Sequence, residues 1–238
     1  MQRVSLHWSR SWTQAIACAA LAVSGGALAA AQTTVAASLY GAFNQSTTGN
    51  GAVQSPANAA GALLELRRIS SPLFGYEVTY AYNRANQGLA SASFVSPVAG
   101  CPTSGCTASF STAAISSNAH EVTGDWVISA KIANLRPFVL AGGGLLLDVP
   151  AGGTVTNTTC LPLSPSCAQT TTAAATRTST QGVFVYGGGL DWGLLPHIGL
   201  RLQYRGNLYR APALANAFSS TGAFTHTAEP AIGVYFRL

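Results

Sequence analysis

Ala228-Glu229-Pro230-Ala231-Ile232-Gly233-Val234-Tyr235-Phe236-Arg237-Leu238 alternates without a break. Ala228, Pro230, Ile232, Val234, Phe236 and Leu238 fall on one face, with Thr227, Glu229, Ala231, Gly233, Tyr235 and Arg237 on the other. A period of two with unlike faces is the signature of a β-strand between two environments. One face suits lipid and the other a polar interior. Ile198, Leu200, Leu202 and Tyr204 repeat the pattern against Arg201, Gln203, Arg205 and Asn207.

The composition agrees with lipid as the bulk solvent. Of 238 residues, 48% are hydrophobic and only 8% charged, where a soluble domain carries roughly 25% charged residues. A mean hydropathy of +0.28 with a single lysine, Lys131, excludes a disordered chain, which needs low hydrophobicity and high charge. The net charge is +5; without Arg3 and Arg10 it falls to about +3, too sparse for the clustered basic footprint of a nucleic-acid binder.

Met1 to Ala31 reads as a secretory signal peptide. Arg3 and Arg10 supply the positive region, Ala15 to Val23 the apolar region, and Ala27-Leu28-Ala29 or Ala29-Ala30-Ala31 the small-residue cleavage site. Cys18 is lost with this leader. The remaining cysteines form two local pairs, Cys101 with Cys106 and Cys160 with Cys167, each in a Pro/Ser/Thr-rich stretch. In an exported chain these are expected as two disulfides. No histidine lies near either pair, so no metal site is expected.

Beyond the leader, nothing approaches the roughly 20 consecutive apolar residues of a spanning helix. The longest apolar run, Phe138 to Leu147, is interrupted by Gly142-Gly143-Gly144. With helices excluded, lipid demands a closed barrel, in which every backbone polar group is paired. Eight segments fit: Val35–Asn44, Gly61–Ile69, Phe74–Arg84, Asn118–Ala130, Leu135–Leu147, Gln181–Gly193, His197–Tyr209 and His226–Leu238. The expected fold is therefore all-β, an eight-stranded antiparallel up-and-down transmembrane β-barrel over residues 32–238. Long connections (Gln45–Ala60, Ala85–Ser117, Asp148–Thr180, Arg210–Thr225) alternate with short ones at Ser70-Ser71-Pro72, Lys131–Asn134 and Leu194–Pro196. Short turns belong in the periplasm and long loops outside the cell. Both cysteine pairs then fall in outer loops.

The charges outside the leader sort by face. Glu65, Arg67, Glu77, Glu121, Asp125, Asp191, Arg201, Arg205, Glu229 and Arg237 point inward by alternation, whereas Arg68, Arg84, Lys131, Arg136, Asp148, Arg177 and Arg210 are assigned to strand ends, turns or loops. The inward set is expected to form a lumenal ionic network in which several acids meet Arg201 and Arg205, because unpaired charge in that setting is costly. Leu135–Leu147 is apolar on both faces, and its register is left open. Its glycines, echoed in Gly187-Gly188-Gly189, lie inside strands with no Gly-Lys-Ser/Thr after them; they read as bends in a small barrel rather than a phosphate loop.

These features resemble the eight-stranded outer-membrane barrels of the OmpA/OmpX type. The leader ending in Ala29-Ala30-Ala31-Gln32, Gly187-Gly188-Gly189-Leu190-Asp191, Gly199-Leu200-Arg201-Leu202-Gln203-Tyr204-Arg205 and Gly233-Val234-Tyr235-Phe236-Arg237-Leu238 carry the resemblance. Leu238 stands where such chains usually end in phenylalanine. The resemblance implies outer-membrane lipid and, during biogenesis, the barrel-assembly machinery as partners; with the chain stopping at the eighth strand, the periplasmic cell-wall-binding domain of full-length OmpA-type proteins is not expected. The expected role is structural or surface-interacting, without a cofactor or catalysis, the surface ligand being open; a narrow pore is the alternative. Two competing readings have definite marks. A lipid-modifying enzyme would draw on His120 beside Glu121, or on His226 among Thr225, Thr227 and Glu229. A soluble ligand-binding barrel would turn its apolar side chains inward.

Overall fold

A computed structural model describes residues 32–71, 73–91, 94–95, 108–160, 167–216, 218 and 220–238. The leader assigned to Met1–Ala31 and the Cys101–Cys106 pair lie outside the described residues. Eight long strands close on themselves: β1 (Gln32–Asn44), β4 (Ala59–Ile69), β5 (Phe74–Ser91), β7 (Ala108–Ser129), β8 (Leu135–Cys160), β10 (Ser179–Gly193), β11 (Ile198–Arg210) and β12 (Phe224–Arg237). Each pairs antiparallel with its neighbour in sequence, and β1 meets β12 from Thr34↔Arg237 to Asn44↔Thr227 to seal the barrel. Four short strands lie at the long-loop end: β2 (Thr47–Gly49), β3 (Ala52–Pro56), β6 (Phe94–Val95) and β9 (Cys167–Ala173). The eight staves are those that the alternation anticipates.

The outward face is apolar in a continuous belt. Leu39, Leu64, Val122, Val139, Leu145, Leu202 and Ile232 all stand exposed, and Trp126 is 75% exposed. In water such a surface would be an aggregation site; in lipid it is the solvated side. Aromatic residues mark both rims, with Phe74, Trp126, Trp192 and Phe236 toward the short turns and Tyr80, Tyr82, Tyr186 and Phe224 toward the long loops, the girdle arrangement of membrane barrels. Along the outward positions of the eight staves, Asp, Glu, Lys and Arg occur at Arg68 and Arg210, near strand ends, and at Arg84, which alternation placed at a strand end but which lies within β5, opposite Asn118 of β7. The soluble-barrel reading is thereby excluded.

The strands on one side are longer than the sequence pattern suggested. Stave β5 runs on to Ser91, β7 begins at Ala108, and β8 continues to Cys160. At 22 and 26 residues, β7 and β8 are about twice the 9–11 residues that cross a bilayer, so their upper halves stand clear of it. The threonine-rich stretch assigned to a loop is instead a hairpin of β8 and β9, closed by a Cys160–Cys167 disulfide. Its Thr and Val favour strands, but polar residues on both faces leave no hydrophobic alternation to detect. Asp148 is likewise corrected: it lies within β8, points inward and is buried.

Inside the extension, Leu89, Ala113, Ile115 and Val155 form a small core with Leu214, Ala215 and Phe218 from the last long loop. That loop is tied on both sides. The Arg177 amide donates to the Leu214 carbonyl (2.9 Å) and the Asn216 amide to the Ala175 carbonyl (2.9 Å), while Asn50 Nδ2 donates to the Ser220 carbonyl (2.9 Å).

At the opposite end, the β7–β8 connection turns through Ala133 and Asn134, with paired bonds between Ile132 and Leu135 (2.8 and 2.9 Å). Ala133 sits at φ 53°, a left-handed conformation that costs an alanine roughly 1–2 kcal/mol. Glycine avoids that cost but loses more backbone entropy on folding. Ala133→Gly is therefore expected to stabilise the folded barrel by about 0.5–1 kcal/mol, read as a higher midpoint in denaturant titrations of the lipid-reconstituted protein.

Candidate functional site: the filled lumen

Hairpin geometry generates the lower tier of the lumen. Arg67 and Glu77 are directly paired across β4 and β5, and Asp191 and Arg201 across β10 and β11. Arg67 Nε donates to Glu77 Oε2 at 2.6 Å. Arg201 grips Asp191 with two bonds, Nε to Oδ1 at 2.7 Å and Nη2 to Oδ2 at 2.9 Å. The two ion pairs also join across the barrel, Arg67 Nη1 to Asp191 Oδ2 and Arg201 Nη1 to Glu77 Oε2, each at 3.2 Å. Glu65 completes the tier 3.5 Å from Arg201 Nη1 and accepts from Ser38 Oγ at 3.1 Å. All five charged side chains are buried.

Phe138 floors this tier. The Arg67 guanidinium carbon lies 3.8 Å from the Phe138 ring centroid, a cation–π contact. A Cβ on Gly189 would come within 2.7 Å of the same ring and closer still to the Leu202 carbonyl. Glycine at this point of β10 is what makes room for the stacked Phe138–Arg67 pair.

The upper tier is built around Arg205. Its Nη2 donates to Glu121 Oε1 (2.9 Å) and Thr123 Oγ1 (3.2 Å), and Asn207 Nδ2 donates to Glu121 Oε2 (2.7 Å). Thr123 passes a bond on to Asp125 Oδ2 at 3.0 Å. Glu229 is the cross-strand neighbour of Arg205. Above this tier lies a cavity of about 30 Å³ lined by Tyr40, Asn83, Glu121, Asp148, Tyr209 and Glu229, space for about one water molecule.

Of the residues singled out by alternation, Glu65, Arg67, Glu77, Asp191 and Arg201 meet in the lower tier, while Glu121, Asp125, Arg205 and Glu229 lie at the upper one. Arg237 stays apart at the short-turn mouth, its Nη1 donating to the Pro196 carbonyl at 3.4 Å. Phe138, Ser38 and Asp148 are additions that the sequence reading missed. Ser38 alternates inward with Tyr40, a signal weakened by the small residues around it; Phe138 lies in the segment whose register alternation left open.

Neither His120 nor His226 meets the acid near it in sequence. His120 faces outward, its Nδ1 2.8 Å from Tyr80 Oη, while the adjacent Glu121 points into the lumen. His226 pairs outward with Tyr186 Oη at 3.0 Å, whereas Thr225, Thr227 and Glu229 are buried on the other face. One residue of sequence separation in a strand means opposite sides of the wall. Among the described residues, no group of three or more His, Cys, Asp or Glu is placed to hold a metal ion.

A closed antiparallel wall, apolar outside and ionic inside, defines the chain as a membrane-spanning β-barrel of the outer-membrane type. Solved structures similar in fold include Neisserial surface protein A (14% identity over 88% of this chain and 100% of that one, TM-score 0.44). Others are Ail of Yersinia pestis (12%, 87% and 97%, 0.41) and OprG of Pseudomonas aeruginosa (10%, 87% and 96%, 0.40). No family model and no curated protein sequence matches the chain.

Proposed function

We propose that the protein is a non-enzymatic, non-conducting barrel of the bacterial outer membrane, whose role is carried by the strand extensions it raises above the cell surface. What supports this reading is that side chains occupy the lumen at two levels. Ionic tiers fill it at membrane depth, and Leu214, Ala215 and Phe218 close the wide end above them. Eight strands enclose only enough room for side chains, and the cavity above the upper tier is far too small for a solute.

In this reading Met1–Ala31 is a leader removed on export, the barrel-assembly machinery inserts the chain, and the long-loop end faces outward. A disulfide at Cys160–Cys167 suits that oxidising side. The β8–β9 hairpin it closes offers the surface: β9 is exposed along its whole length, and Thr156 Oγ1 and Thr171 Oγ1 lie 3.0 Å apart across the pair. The polar, uncharged side chains of β9, Gln169 and Thr170 to Thr172, fit a surface ligand held by hydrogen bonds.

Planar-bilayer recording of the refolded barrel tests the reading. The expected trace shows no conductance steps, either for the natural sequence or for a Phe218→Asp variant that loosens only the outer closure. Reproducible steps from the natural sequence would replace the plugged barrel with the narrow-pore alternative.

A further inference from the structure

At the short-turn end the lumen opens into a chamber of about 290 Å³, and its charge is one-sided. Arg67, Lys131, Arg136 and Arg237 line it, against Asp191 as the single carboxylate among the lining side chains. That carboxylate is already held by both Arg201 and Arg67, so it leaves the remaining cations of the wall uncompensated. Two guanidinium nitrogens make the chamber more specific than a diffuse positive field. Arg67 is 1% exposed, and its Nη2 has no hydrogen-bond partner among the described residues; the half-buried Arg237 likewise has none at Nε. A buried donor on a permanently charged group, left without an acceptor, is costly unless an acceptor arrives.

We infer that this chamber is a binding site for a small phosphate-class oxyanion. Planar guanidinium groups suit tetrahedral oxyanions because they present paired donors. The amide side chains of Gln32 and Asn134, which also line the chamber, add neutral donors. Arg67 is fixed by its bonds to Glu77 and Asp191 and by the Phe138 ring, so little side-chain entropy is lost when an anion reaches it. The site is independent of any surface role, lying at the other end of the lumen. Two sources carry the same chemistry: a phosphorylated solute, or the headgroup of a phospholipid in the adjoining leaflet.

Inorganic phosphate is the probe, titrated calorimetrically into the refolded barrel in an uncharged detergent. Saturable binding that weakens at high ionic strength is expected. Replacing Lys131→Gln together with Arg136→Gln is expected to weaken it about tenfold or more, the scale of a lost charge-assisted bond; Arg237→Gln should act similarly. Arg177→Gln at the far end should leave it unchanged. Lys131 lies in the turn and Arg136 near the start of β8, away from the closing seam, so the double variant carries the test should Arg237→Gln disturb closure. Retention of heat-modifiable gel mobility verifies each variant's fold. Repeating the titration in phosphatidylglycerol nanodiscs separates the sources: unchanged affinity identifies a free solute, and about a tenfold loss identifies competition by the headgroup. No phosphate binding in uncharged detergent, or binding indifferent to the Lys131/Arg136 double substitution in the folded barrel, would overturn the inference.

Discussion

Arg201→Met is expected to cost the barrel about 3–5 kcal/mol of folding stability, the range for removing one member of a buried ionic cluster. Arg201 meets Asp191, Glu77 and Glu65; without it, Arg67 alone faces three carboxylates in a lumen walled by protein and lipid. Methionine matches much of the volume, so packing is a small part of the loss. Combining Arg201→Met with Asp191→Leu should recover part of it, because removing an ion pair together is far less costly than stranding one partner. Denaturant titration in lipid vesicles reads both variants. A single-variant loss below about 1 kcal/mol, the level of an exposed surface pair, would mean that the tier is open to water.

The limits of alternation explain what the sequence disclosed. Ile198 to Asn207 sets aliphatics against Arg201, Gln203, Arg205 and Asn207, so both strand and facing were legible. In β8 the contrast disappears: Phe138 and Leu140 are buried in the lumen while Val139 and Leu145 face lipid, and all four are apolar. The same loss of contrast hides Asp148, which follows Leu145-Leu146-Leu147 and looks like the polar end of a strand, yet the strand continues. Above the membrane, Ser111 to Ser117 and Thr154 to Thr159 face water outside and a small core inside, with too few apolar residues to reveal a period.

The ionic lumen divides along a similar line. Which residues face inward is a local property, set by period two. Their partners are not local: Arg67 reaches Asp191, and Arg201 reaches Glu77, across 124 positions of sequence. Those contacts exist because the seam between β1 and β12 and the register of the intervening pairs bring two hairpins face to face. Nothing in either hairpin alone specifies the other. Phe138 depends on the same registers, since it reaches Arg67 only once β8 is fixed against β10 at Gly189↔Phe138.

Leu202→Arg is expected to destabilise the lipid-reconstituted barrel by about 2–4 kcal/mol, the cost of arginine facing mid-membrane hydrocarbon. Leu202 projects from β11 with roughly half its surface exposed and pairs with Ile232 and Leu190 on the adjoining staves, so an arginine there has only apolar neighbours on the wall. Thr154→Arg provides the contrast. Thr154 is also exposed on a barrel strand, but it lies in the upper part of β8, opposite Ala173 of β9. If that extension stands in water, the change should stay within about 0.5 kcal/mol, as for an ordinary surface substitution. The two variants thus place the membrane boundary between Leu145, the last strongly exposed aliphatic of β8, and Thr154. Equal penalties would place both positions in lipid and remove the raised surface on which a binding role depends. Equal indifference would remove the membrane from the wall altogether, because a leucine belt that accepts arginine freely must already be wet.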